Sequence, residues 1–324
     1  MRVRLLGRSA INDRAWNTFV GQSPQQIIYA YTWYLDVVSP RWVALIIEDE
    51  NRQWIAAMPV PLRRKFGVWV VYQPLFCQLL GIYYRAGYNN SLTNSALLTT
   101  LPHFFCYASI YTGIFDKQTA WPDFFQTQHC ENYILPLQQP YQAIHEGYTT
   151  DRRINLKRAQ KFGWQSHEST DIEPLIGLFA QHHAPRIAGG VSEKSYQLLR
   201  RLFEVLAQKK MVQLRYALKD NQIEAGILLV LDTKRIIYLF NAASELGRQK
   251  NARTYLIDST LQHYANEDLY FDFESPPIDS IAAFYHSFGS IAEPYTQFRY
   301  NQLPFWMQKL RAWRLSLLPS TTPA

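Results

Sequence analysis

The order in which strand-like and helix-like segments recur constrains this chain most. In the second half, Met211–Leu218 reads as a strand, Lys219-Asp-Asn-Gln222 as a polar turn and Ile223–Leu231 as the returning partner. Lys234–Asn241 adds a third strand and Ala252–Ala265 a helix. The first half has the same grammar. Trp42-Val-Ala-Leu-Ile-Ile47 is a buried strand, Glu48-Asp-Glu-Asn-Arg52 a turn and Trp54-Ile-Ala-Ala-Met58 its hairpin partner. Phe66–Gln73 follows as a strand and Ser91–Phe105 as a helix. Antiparallel strands interleaved with helices point to an α+β layer rather than alternating βαβ units, with the same order of elements used twice.

A chain of 324 residues accommodates two ordinary domains. Apolar residues make up 48% and aromatic residues 15%, enough for packed cores and inconsistent with disorder. No apolar run reaches the ~18–20 residues a membrane span needs. The opening Met-Arg-Val-Arg-Leu-Leu-Gly is too short and too charged for a signal peptide. Cys77, Cys106 and Cys130 lack metal-type spacing and read as thiols in a reducing compartment, so a cytoplasmic protein without a structural metal is expected. Pro136, Pro140 and Gly147 punctuate a polar segment. They set the expected boundaries: 1–145, 146–303 and a basic amphipathic tail, 304–324.

Net charge is +7, and its location is informative. Arg152, Arg153, Lys157, Arg158 and Lys161 lie in one predicted helix with no acid among them from 152 to 161. Arg153, Lys157 and Lys161 recur every four residues and share a face, which costs a few tenths of a kcal/mol per pair. Thr150 or Asp151 is placed to cap this helix and Gly163 to end it. Such a helix gains from an anionic partner, although a solvated basic face has the same pattern. A second candidate is Asn241-Ala-Ala-Ser-Glu-Leu-Gly-Arg-Gln-Lys-Asn-Ala252, a loop leading from a strand into a helix N-terminus, with Arg248, Lys250 and Asn251 as anion ligands. The third is Tyr270-Phe-Asp-Phe-Glu274 followed by Ile281-Ala-Ala-Phe-Tyr-His-Ser-Phe-Gly289. Asp272, Glu274, Tyr285 and His286 are the groups there able to move protons.

Together these segments resemble the FemABX group of acyltransferases, built from two tandem GNAT-type domains. The resemblance covers residues 145–300 and, in the first half, the order of elements. In FemABX-like chains a Ser/Thr-x-Arg-type segment opens a basic helix ending in Gly, which helps bind the phosphates of a nucleotide-linked cell-wall precursor. Here that role carries to Thr150, Arg152 and Arg153, with Lys157 on the same helix. Acetyl-CoA-binding GNAT domains carry Arg/Gln-x-x-Gly-x-Gly/Ala at the loop; starting at Arg248, Asn251 and Arg253 stand in the small-residue positions. The family segment Gly-x-x-x-Phe-Lys-x-x-Phe-Gly corresponds to Phe284-Tyr-His-Ser-Phe-Gly289, and Tyr285 replaces the lysine that stabilises an oxyanion in the aminoacyltransferase branch. The resemblance implies attack by a substrate amine on an activated acyl carbonyl, with Asp272, Tyr285 and His286 nearest the chemistry.

Three functions follow from this. One is an acyl- or aminoacyltransferase acting on an amine of a metabolite or cell-envelope (peptidoglycan) precursor, with a small-molecule or nucleotide-linked substrate and no tightly bound cofactor. Its donor is acyl-CoA or aminoacyl-tRNA. The second is an acyl-CoA-dependent GNAT N-acetyltransferase. The third is a non-catalytic anion-binding or membrane-associated protein that retains the fold. Residues 304–319 place Trp306, Leu310, Trp313 and Leu317 opposite Lys309, Arg311 and Arg314, the pattern of a helix that packs on its own domain or rests at the inner membrane face.

Overall fold

The computed structural model describes residues 3–65, 67–113 and 121–309. They form two compact units: residues 3–130 with 294–309, and residues 131–293. The chain therefore divides at 130/131, ahead of the expected 145/146, and returns to its first unit at 294 instead of staying in the second to 303.

In the first unit β1 (Val3–Gly7), α1 (Asp13–Gln22), α2 (Thr32–Val38), β2 (Trp42–Glu48), β3 (Trp54–Lys65) and β4 (Val68–Tyr72) follow in order. Next come the two-residue β5 (Tyr83–Tyr84), α3 (Ser91–Phe104) and β6 (Tyr107–Thr112). β1, β2, β3 and β4 pair antiparallel, and β4 then runs parallel to β6 over Val71 and Tyr72. The Asp49 carboxylate accepts the Asn51 and Gln53 amides and closes the β2–β3 turn.

β7 (Gln126–Pro136) contains the division into units. The second unit continues with α4 (Tyr141–Glu146), α5 (Thr150–Phe162), β8 (Gln165–Ser169), α6 (Glu173–His182), α7 (Glu193–Gln208) and β9 (Val212–Lys219). It then runs through β10 (Gln222–Leu231), β11 (Arg235–Ala243), α8 (Glu245–Gln249), α9 (Ala252–His263), β12 (Tyr270–Asp272) and α10 (Asp279–His286). β8, β9, β10 and β11 pair antiparallel, β11 runs parallel to β12, and β12 is antiparallel to the 134–136 segment of β7. β13 (Ile291–Asn301) completes the chain order, and its 296–301 segment lies antiparallel to β6 in the first unit. The two sheets share one topology: four antiparallel strands, a short parallel pair and an antiparallel last strand. The first unit takes that last strand, β13, from the end of the chain, whereas the second takes it from the start of its own run, the 134–136 segment of β7. A division into consecutive halves cannot represent this.

Local chemistry explains the individual elements. Asp220 and Asn221 both have positive φ (51° and 63°), the two-residue turn that matches strand twist, and these residue types tolerate it best after glycine. α7 buries Leu199, Leu202, Phe203 and Leu206 on one face. α9 is buried on nearly all sides, through Leu256, Ile257 and Leu261, because it crosses the sheet beneath α5 and α4. Each such apolar side chain stabilises the unit by about 2–3 kcal/mol.

The segment after α10 is tied to the turn before α5. Gly289 has φ +77°, and a Cβ there meets the Gly147 carbonyl oxygen at 2.7 Å. The Thr149 amide donates to the Ser287 carbonyl at 3.0 Å beside it. A Gly289→Ala variant should lose about 2–4 kcal/mol, from left-handed strain plus overpacking. Urea unfolding measures this, and an unchanged midpoint would show that the backbone crossing is not needed.

Candidate active site of the second unit

β12 contributes the carboxylate singled out from sequence, and the structure seals it. Asp272 is 1% exposed. Its Oδ1 accepts from Asn132 Nδ2 (2.8 Å) and the Glu274 amide (2.9 Å), and its Oδ2 from Arg235 Nη1 (2.8 Å). Arg235 also grips both oxygens of Glu293 at 2.6 Å. With both oxygens engaged, Asp272 orders the end of the strand and has no open face for a reacting group.

Past Asp272 the sheet opens. β11 and β12 pair only through Arg235–Ile237 and Tyr270–Asp272. The register with β10 jumps from Tyr238 to Phe240, leaving Leu239 as a bulge residue that bends β11 away. The gap has one arm at 238–241 and the other at 273–275, where the amides of Phe273, Glu274 and Ser275 donate away from β11, to the Tyr133 carbonyl (3.0 Å), Asp272 Oδ1 (2.9 Å) and Asn132 Oδ1 (2.8 Å). Glu274, on the second arm, holds φ 48°, a conformation uncommon for its type. The walls are aromatic: Tyr285 stacks on Phe273 at 4.7 Å and meets Tyr238 edge-on at 6.0 Å. The Tyr238 hydroxyl is buried and has no hydrogen-bond partner among the described residues. Burial pushes the Tyr285 hydroxyl up to about 12, with the Arg253 charge opposing and the Glu274 charge adding to the shift. At neutral pH Tyr285 is a proton donor, not a base.

The basic helix reaches this region through one residue. Arg152 is 6% exposed. Nε donates to Ser287 Oγ (2.8 Å) and Nη1 to Thr254 Oγ1 (2.6 Å). The guanidinium lies 4.2 Å from the Phe284 ring centre and 4.5 Å from that of Phe288. No described carboxylate pairs with it, and Nη2 makes no hydrogen bond among the described residues. Burial, and secondarily the Arg253 charge acting against Tyr148, lowers its pKa to about 10, so it stays charged at neutral pH. A buried guanidinium held by hydroxyls and π faces alone is a site with an unneutralised charge.

The loop from β11 to α9 supplies the rest. Asn251 adopts φ 58°, the conformation for which a glycine is the usual choice, so the departure from the small-residue pattern preserves the backbone there. Its side chain does not cap α9, leaving that N-terminus electropositive. Arg253, in the first turn of α9, donates to Asn241 Oδ1 (2.9 Å) and lies 5.4 Å from the Phe284 ring centre. Arg248 donates to the Ala243 carbonyl (3.1 Å). Behind it, His183 Nε2 sits 3.1 Å from the Ala243 amide and is stacked on Phe179. Burial, then the charges of Arg253, Arg248 and Arg186, lower its pKa to about 4, against the opposing Ala243 hydrogen bond.

The structure thus draws Arg152, Tyr285 and the Arg248–Asn251 loop end toward the open end of the sheet. Thr149, not Thr150 or Asp151, caps α5 by accepting the Arg152 amide at 3.3 Å, and Thr150 is exposed. Arg153 is half-buried and Lys157 exposed on the outer face of α5. Lys250 is exposed over the Phe162 ring. His286 is exposed, packs near Tyr133 and donates Nδ1–H to the Ser290 carbonyl, away from the tyrosine pair. Sequence reasoning missed Tyr238, which reads as an ordinary strand residue, and counted Arg253 only as a broken glycine position. Gly163, at φ +79°, ends α5 as expected. Among the described residues no group of three or more His, Cys, Asp or Glu side chains is arranged to hold a metal, and no helix is long and apolar enough to cross a membrane. Phe305–Lys309 are helical, with Trp306 exposed and Met307 buried; Leu310, Arg311, Trp313, Arg314 and Leu317 lie outside the described residues.

Residues 150–276 match the family described as an acetyltransferase (GNAT) domain. The crystal structure of FemX aligns with a TM-score of 0.67, 12% identity, and coverage of 96% of this chain and 99% of that one. A tandem GNAT protein from the clavulanic acid biosynthesis pathway aligns at 0.54 and 10% identity, over 94% and 99% of the two chains. L-PGS from Bacillus licheniformis aligns at 0.53 and 10% identity, over 94% and 96%. No curated protein matches in sequence. The family match places a GNAT domain within the second unit, over residues 150–276. Across its length the chain has the FemX fold, two GNAT-type units in tandem.

The His183 environment makes a testable statement about pH. Its folded pKa near 4 lies below the ordinary value of about 6.5, so the unfolded chain binds the proton first. The stability it contributes is complete above about pH 6.5 and is lost as pH falls toward 4. Urea unfolding at pH 7 and pH 5 should show a smaller loss for His183→Gln than for the parent chain. Equal losses would place the pH dependence elsewhere.

Proposed function

We propose that this chain is an acyl- or aminoacyltransferase whose second unit moves an acyl group from a phosphate-bearing donor, ester or thioester, onto an amine of a metabolite or cell-envelope precursor. The observation that carries this is the pairing of two guanidiniums, Arg152 and Arg253, with the uncapped start of α9 beside an opened sheet, neither cation having a carboxylate partner among the described residues. Phosphate bound at the α9 N-terminus and Arg253 would neutralise that charge. The donor carbonyl then enters the gap between β11 and β12. The amine nitrogen attacks the carbonyl carbon, and the C=O π pair moves onto oxygen, where the field of the uncapped α9 start and its neighbouring guanidiniums stabilises the oxyanion. As the tetrahedral species collapses, the C–O or C–S bond breaks and the leaving atom takes the Tyr285 proton. The nitrogen loses its proton to solvent or to Glu274. Tyr285 thus replaces an electrophilic lysine with a neutral acid, and Asp272 serves to hold the strand end in position.

The donor divides the two enzymatic readings. Asn251 in its left-handed conformation favours acyl-CoA, because it keeps the backbone approach that the sequence pattern had put in doubt. The FemX-like fold favours aminoacyl-tRNA. Calorimetric titration with acetyl-CoA, followed by transfer assays with acyl-CoA and charged tRNA against a panel of amines, separates them. With the productive donor, Tyr285→Phe should lower kcat about 100-fold with little change in KM. Arg253→Gln should raise the donor KM about tenfold or more. A folded protein that neither binds nor transfers from either donor would be the non-catalytic anion-binding form of the fold.

A further inference from the structure

The first unit holds a cavity of about 600 Å³ that the acyl-transfer chemistry does not use. One wall is the face of α1 bearing Ala15 and Phe19, and the other is Trp54 at the start of β3. Phe19 meets Trp54 edge-on at 5.8 Å, and Trp16 backs Trp54 at 6.0 Å, so this apolar surface is fixed by aromatic packing. Arg52 and Arg85 also line it. Arg52 is exposed at φ 60° in the β2–β3 turn and has no ion-pair partner among the described residues. Arg85 donates through Nη2 to Asp49 at 2.8 Å and to the Gln53 carbonyl at 3.3 Å, and its buried Nε has no hydrogen-bond partner among the described residues. The Asp49 carboxylate is itself committed to the turn amides of Asn51 and Gln53. Of the two guanidiniums beside this aromatic surface, only Arg85 is paired with a carboxylate.

We propose that this cavity is a binding site for an amphipathic anion, a molecule with an acyl or aryl body and a phosphate or carboxylate head. The body lies against Phe19 and Trp54, and the head takes hydrogen bonds from the exposed Arg52 guanidinium, with the Arg85 charge lining the same cavity. Guanidinium groups suit such heads because their planar donors match two acceptor oxygens. The site belongs wholly to the first unit and stands whether or not the second unit transfers acyl groups.

Calorimetric titration of the full chain with octyl phosphate tests this, with inorganic phosphate and octanol as comparators. Saturable one-to-one binding is expected, with each comparator at least tenfold weaker. Arg52→Asn removes the charge while keeping a residue that favours positive φ, and should weaken octyl phosphate about tenfold. Ala15→Trp fills the cavity from an exposed helix position and should abolish binding. Unchanged urea midpoints for both variants confirm that they fold. The proposal is overturned if octyl phosphate does not bind, if it binds no tighter than phosphate, or if both folded variants bind like the parent. Co-sedimentation with phosphatidylglycerol vesicles in the absence of binding to monomeric octyl phosphate would also overturn it, by assigning the anion affinity to a surface and not the cavity.

Discussion

The second unit depends on a buried positive charge that no carboxylate among the described residues neutralises. Arg152 leaves the first turn of α5, bonds to a hydroxyl on α9 and to one just beyond α10, and lies against two phenyl rings. Taking a guanidinium out of water costs several kcal/mol unless donors and π faces replace its hydration. Meeting that demand brings three helix termini together: the capped start of α5, the uncapped start of α9 and the end of α10 at Gly289. The geometry of the site follows from this convergence. Arg253 and Tyr285 are placed by the same aromatic cluster, through Phe284 and Phe273.

A second constraint is the short parallel pairing of β11 with β12. Three paired residues suffice to fix the strands, and the bulge at Leu239 then drives them apart. The Asp272–Arg235–Glu293 and Asp272–Asn132 contacts hold the far arm where the ladder no longer can. The gap opens against an aromatic wall of Phe273, Tyr285 and Tyr238. The first unit repeats the topology, with β4 and β6 paired over only Val71 and Tyr72. What it has been adapted to bind is a separate question, and its charged cavity lies at the β2–β3 turn.

Much of the fold was legible because hairpin signals are local. Asp220-Asn221 between two apolar runs, and Gly163 after a helical period, specify backbone conformations that few alternatives satisfy. The polar edge strand β8, Gln165-Ser-His-Glu-Ser169, had no apolar alternation to reveal it; pairing with β9 makes it a strand. The cap of α5 was misplaced by one residue because the Thr149 amide is tethered to Ser287, a partner distant in sequence.

The sequence by itself determined the class of fold, the basic helix and the polar loop that leads into α9, all of which rest on spacing and residue type. Only the tertiary structure decided what each charge does. Asp272 and Arg152 look equally available in one dimension, yet the first is saturated by three donors and the second meets no acid among the described residues. Arg253 looked like a defect and became a site cation, while Asn251 kept the backbone shape of the glycine it replaces. Charges in a chain take their role from burial and from partners far along it, and neither quantity is written in local sequence.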